Sequence, residues 1–246
     1  NLTMIGDVGR SGVGGDAGKI LRVLRFKNIT DSVEDIHNLP PNILLAMMAH
    51  ESSGVDLLPN GTDDGGFGLC HMQPVVAKEF GLRVYDNCRK MVCGPCGKKL
   101  RSILEKNNYD RKSVIHHDDR LHPILNIDAV ARMLTVHSEG EEILGLGPFR
   151  TALCRYTGKY NYKAYWNNVK RYMRLLEDSN YIQKIANLFN KLNPNLKING
   201  QPADFQSYIA TCQNQNFNYG LAKYCQQQKL LPKNSLGILK TYRKFL

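Results

Sequence analysis

At 246 residues, 42% of them hydrophobic and 22% charged, the chain has the composition of a soluble globular protein long enough to bury a real core. Its formal net charge of +11 favours a polyanionic partner: nucleic acid, an anionic membrane surface or an acidic cell-wall polymer. No uncharged run reaches the roughly 18 residues that a membrane-spanning helix needs, so no transmembrane segment is expected. Seven cysteines are many for a cytosolic protein of this size and point to an oxidising compartment. Because the count is odd, either one thiol stays unpaired or three share a metal ion.

Asn1 to Asp16 is rich in glycine and poor in apolar residues, and reads as a flexible lead. The run Ile20–Phe26 predicts a short amphipathic helix with Lys19, Arg22, Arg25 and Lys27 on a solvated basic face. Pro40 and Pro41 stop the preceding segment, and Pro41 suits a first helical turn. The helix that follows, from Ile43 to Ser53, is apolar on nearly every side and should be the central buried helix, with Gly54 as its C-terminal stop. Glu51 falls on the face of Leu44, Met47 and Met48, an unusual place for a carboxylate. Burial and the negative end of the helix would both favour its protonated form, which is what a general acid requires. The loop Pro59–Gly66 is dense in turn formers. Gly66, Gly68 and the small Cys70 leave room for a close backbone approach to a ligand.

The pair Glu51-Ser52 is followed by Gly68-Leu69-Cys70-His71-Met72-Gln73-Pro74 and Ala77. With it go Pro123-Ile124-Leu125-Asn126-Ile127 and Ala152-Leu153-Cys154-Arg155-Tyr156-Thr157-Gly158. In this order the motifs resemble those of the soluble, lysozyme-like lytic transglycosylases. Cys70-His71 stands where that family usually has Met-Gln, and Thr157 where it has Asn. The resemblance covers roughly residues 38–176, with Tyr165 and Val169 where a closing helix would pack. It implies a mainly α-helical, lysozyme-like domain with a small loop or hairpin lobe. Glu51 would be the single catalytic acid and Tyr156 would orient it. Ser52, Gly68, Leu69, His71, Asn126 and Thr157 would meet the sugar. The implied substrate is the peptidoglycan glycan strand, cleaved to 1,6-anhydro ends in the bacterial envelope by a periplasmic or exported enzyme. Nucleic acid is not an expected partner. The alternative is a non-catalytic peptidoglycan-binding component of a secretion or conjugation complex.

Three segments are expected: a lead and short helix over 1–37, the catalytic domain over 38–176, and a basic α-helical module over 177–246. Residues 82–120 form a basic, cysteine-bearing insertion in the second. The third segment has nine Lys or Arg against three acids. Tyr181–Leu192, Phe205–Cys212, Tyr219–Gln228 and Ser235–Leu246 read as its helices, either docking on a partner or capping the catalytic domain. For the cysteines two readings stay open. Cys88, Cys93 and Cys96, with His116, His117 or His122 downstream, have the residue types of a zinc site, but the second half of the usual spacing is missing. Disulfides are the stronger expectation, with no cofactor. Cys212 and Cys225 are one candidate pair, Cys70 and Cys154 another, and the group that includes Cys88 and Cys96 holds a third bridge.

Overall fold

The computed structural model describes residues 12–57, 64–88, 90, 92–139, 147–157 and 162–214. The glycine-rich lead up to residue 11, Asp63, Gly158, Cys225 and the two last expected helices lie outside these. The chain is mainly helical: α1 (Gly15–Leu24), α2 (Lys27–His37), α3 (Ile43–Glu51), α4 (Pro74–Glu79), α5 (Gly94–Lys106), α6 (Arg111–Val114), α7 (Pro123–Glu139), α8 (Pro148–Thr157), α9 (Tyr162–Glu177) and α10 (Ser179–Leu192). Residues 205–214 are also helical. None of the described helices is long and apolar enough to cross a membrane.

The uncharged sequence of α3 decides the arrangement. Every side chain from Ile43 to Ala49 is buried, so the helix must be wrapped on all sides. The amphipathic α9 packs along it, α1 and α2 cover other flanks, and α7 joins α2 and α8. The start of α3 is capped from outside. Asn42 offers no side-chain cap; instead Glu34 of α2 accepts the Asn42 and Leu44 N–H groups, each at 2.8 Å, answering donors that a helix start leaves bare.

Burial pushes the Glu34 carboxyl up from 4.5 to about 7, although those two donors pull the other way. A folded-state value raised above the unfolded one gives stability that is present below the unfolded value and lost as pH rises through the folded one. The parent should therefore lose about 3 kcal/mol relative to Glu34→Gln between pH 4 and 8. Urea unfolding of both proteins across that range measures it, and parallel curves would show that Glu34 does not titrate there.

One hydrophobic core runs from Val13 to Cys212 and crosses the boundaries expected at 37 and 176. The described part of the third segment is a cap on the body. Phe189 packs against Phe205 and Tyr208, Asn190 accepts the Phe205 N–H at 2.7 Å, and Gln213 donates to the Leu24 carbonyl at 2.8 Å. Between them β1 (Lys197–Ile198) pairs antiparallel with β2 (Gln201–Pro202), pairing Lys197 with Pro202 and Ile198 with Gln201. Asn199 and Gly200, both at positive φ, make the two-residue turn. Leu100, Leu104 and Val114 of the segment 82–120 form a second, smaller core with Leu57, Phe67 and Leu121, with Leu100 and Leu104 one turn apart on α5.

Candidate active site

Beyond α3 the chain turns through Ser52, Ser53 and Gly54. Ser52 Oγ donates to the Met48 carbonyl at 3.2 Å and accepts the Gly54 N–H at 3.2 Å, closing the helix. Two arginines of the first helical segment finish the turn. Arg22 Nε donates to the Ser53 carbonyl at 2.7 Å and Arg25 Nη2 to the Gly54 carbonyl at 2.9 Å. The expected solvated basic face is corrected here: Arg25 is only 1% exposed, because the carbonyls beyond α3 need donors. The same two cations offset the negative helix end on which Glu51 sits. Gly54 is at φ +76°, and a Cβ there would lie 2.8 Å from Arg22 Cβ and 3.0 Å from Val23 N, so the arginines reach the turn only because it carries no side chain.

One wall of the site is a tight turn closed by an antiparallel bridge between Phe67 and Met72. Gly68, at φ +81°, leaves no space for a Cβ, which would fall 2.1 Å from the Arg120 carbonyl and 2.4 Å from Asn126 Nδ2. Asn126 Oδ1 accepts the Cys70 N–H at 3.1 Å. Arg120 Nη1 donates to the carbonyls of Gly65 (2.6 Å) and Met72 (2.9 Å), and the guanidinium pairs with Asp118 at 2.8 Å. So fixed, the turn holds His71 at φ +47° with Nδ1 3.7 Å from Glu51 Oε2.

Helices α8 and α9 form the opposite wall. Together the walls enclose a cleft of about 750 Å³ lined by Glu51, His71, Gln73, Tyr156, Thr157 and Tyr165, among others, with His50 beside them and Glu79, His137 and Arg155 further along. Tyr156 donates its hydroxyl to the Cys70 carbonyl. Tyr165 stacks edge-on against His50 at 4.8 Å and lies 5.7 Å from the Tyr156 ring. Its buried hydroxyl lies beside the Glu51 carboxylate but falls short of hydrogen-bond geometry, leaving it without a partner. Gln73 Oε1 is likewise buried and unpartnered. Burial, then the Glu51 carboxylate, raise the phenols of Tyr156 and Tyr165 and the Cys70 thiol well above their ordinary values. All three are therefore neutral donors at physiological pH. Burial also lowers His50 and His137.

Of the residues expected at the site, Glu51, His71, Tyr156 and Thr157 line the cleft. Ser52, Gly68, Leu69 and Asn126 lie beneath it. Leu69 and Asn126 are wholly buried, and Ser52 Oγ and Asn126 Oδ1 brace the backbone turns described above, while Asn126 Nδ2 is buried without a partner. Met72 and Gln73 also line the cleft, while Cys70 is buried. Tyr165 was expected only to pack, and its place beside Glu51 depends on the crossing of α9 over α3.

The expected cysteine pairing is corrected. Cys93 is bonded to Cys96; Cys70, Cys88 and Cys154 carry free, buried thiols. Cys70 and Cys154 belong to separate packed elements and do not bridge, and Cys88 does not take Cys96, because the N-terminal turn of α5 brings Cys93 to it first. Cys212 is buried, and Cys225, its expected partner, lies outside the described residues. The sulfurs of Cys88, Cys93 and Cys96 are all within 4.8 Å of one another, a cluster that could hold a metal ion. No family model, curated protein or solved structure matches this chain.

Proposed function

We propose that this protein is a peptidoglycan lytic transglycosylase with a lysozyme-like domain, and that Glu51 is its one catalytic acid and base. The observation that carries the reading is a carboxylate closing an uncharged, buried helix and opening into a cleft beside an unpartnered tyrosine hydroxyl. Glu79, the other carboxylate of the cleft, is exposed at the end of α4, which suits substrate contact better than a role in the chemistry. In the proposed reaction Glu51 gives its proton to the glycosidic oxygen as the bond to C1 breaks. The carboxylate then takes the proton of the C6 hydroxyl of the same muramoyl sugar, whose oxygen closes on C1. The product is a 1,6-anhydro end and no water is consumed. The basic surface suits the peptide carboxylates of the substrate.

The test is direct: purified protein incubated with peptidoglycan sacculi should release 1,6-anhydromuropeptides, identifiable by mass. Release of reducing-end products would instead indicate hydrolysis. Tyr165 gives a sharper check. Removing its hydroxyl should leave stability unchanged or raise it by up to about 1 kcal/mol, since no hydrogen bond is lost. Turnover should fall about 10- to 100-fold if the hydroxyl serves Glu51 or the sugar. Tyr165→Phe, compared in unfolding and in turnover, separates the two.

The second reading, a peptidoglycan-binding component of an envelope complex without turnover, draws on one observation. The Tyr156 hydroxyl is engaged by the Cys70 carbonyl rather than by Glu51. Binding to sacculi with no soluble product would favour it.

A further inference from the structure

The cysteine cluster plays no part in the proposed reaction. Cys93-Gly94-Pro95-Cys96 opens α5, a helix of 13 residues, with Cys93 as its N-cap. The Cys96 N–H donates to Cys93 Sγ at 3.3 Å, the arrangement that stabilises a thiolate at a helix start. Cys88 comes in from the preceding 3-10 turn and brings a third sulfur within 4.8 Å of the bonded pair. Exposure differs among the three: Cys88 and Cys93 are buried, while Cys96 is partly open to solvent. Among the described residues no fourth metal-ligating side chain joins the group, so a closed tetrahedral zinc site is incomplete. A disulfide with a third thiol beside it has instead all the parts of an exchange reaction.

We infer that Cys88, Cys93 and Cys96 form a thiol–disulfide exchange site, in which the bridge moves between Cys93–Cys96 and Cys88–Cys96 and which small thiols of the glutathione class enter through Cys96. In the internal step the Cys88 sulfur attacks Cys96 Sγ. The Cys88–Cys96 bond forms, the Cys93–Cys96 bond breaks, and the proton lost by Cys88 reaches the Cys93 sulfur through solvent, with no net oxidation. Cys93 is the favoured leaving group because a helix N-terminus and an N–H donor receive its charge. An external thiolate attacks the same atom, giving a mixed disulfide at Cys96, which Cys88 or Cys93 resolves by expelling the small thiol. The exchange bears on the cleft, since the Cys93 N–H donates to the Asp64 carbonyl at 2.6 Å, at the start of the wall that ends in His71.

Trypsin cuts after Arg89 and Lys90, which puts Cys88 on one peptide and Cys93 with Cys96 on another. The full chain is equilibrated in a reduced and oxidised glutathione buffer, quenched in acid, blocked with N-ethylmaleimide and mapped by mass spectrometry. The expected result is a linked pair of peptides with Cys93 blocked, in at least about a tenth of the molecules. In Cys93→Ser, oxidised glutathione should drive the Cys88–Cys96 bond to completion. In Cys88→Ser the linked pair should vanish. The proposal is overturned if Cys88 is wholly blocked with no linked pair in the parent. It is equally overturned if the reduced parent holds one zinc ion in native mass spectrometry and then no longer exchanges. The parent map needs no variant, so a misfolded substitution does not leave the question open.

Discussion

Glu51→Gln should abolish release of anhydromuropeptides, with turnover down about 10²- to 10⁴-fold, the usual share of a general acid and base. The substitution keeps the shape of the side chain and removes the proton it must give and take back. It should be nearly silent in stability. Glu51 lies at the open end of α3 with its side chain 19% exposed, and the imidazole of His71 is 3.7 Å from it. The measurements are turnover on sacculi and urea unfolding, run on the same preparation. Full turnover by the variant would sink the single-acid mechanism. A retained fold with lost turnover would support it, and sacculus binding that survives in the variant would show that the cleft still receives the strand.

Arg120→Met should destabilise the protein by about 3–5 kcal/mol, the range for removing one partner of a buried ion pair. Arg120 is 2% exposed and Asp118 wholly buried. The guanidinium also donates to the carbonyls of Gly65 and Met72, the second of which accepts the Phe67 N–H as well at 3.3 Å, and lies 5.4 Å from the centre of the Phe67 ring. Losing it leaves a buried carboxylate and a cleft wall without its fastening. Asp118→Asn added to Arg120→Met should recover part of the loss, because the stranded charge goes too. Chemical denaturation of the single and double variants measures both, and a loss below about 1 kcal/mol would show that the pair does not hold the cleft wall.

What could be read in advance follows from how local each feature is. The core helix was legible because an uncharged run behind a double proline admits few other fates, and Glu51 stood out by contradicting it. Thr157 and His71 came with their motifs. Arg25 misled, because a basic residue opposite an apolar stripe normally meets water. Here the Gly54 carbonyl, which Arg25 meets in the interior, belongs to a different helix end. Tyr165 offered only its spacing on an amphipathic helix; the orphaned hydroxyl beside Glu51 appears once α9 crosses α3. Asn199-Gly200 was a readable hairpin signal, hidden because the neighbouring proline also reads as a helix break. The bridge between Cys93 and Cys96 was obscured by the expectation of longer-range pairs, though a helix start at Gly94-Pro95 brings residues three apart together.

The bond from Gln213 to the Leu24 carbonyl, and that from Asn28 to the Gln213 carbonyl, set an order of events on the ribosome. Helices α1 and α2 are covered by segments made almost two hundred residues after them. A nascent chain that has reached only α9 carries α1 and α2 without the partners that close over their far end, and contacts so distant in sequence form slowly. The arginines that secure the turn after Glu51 sit on α1 and just beyond it, so the helix that frames the candidate acid is complete only when synthesis has passed residue 213.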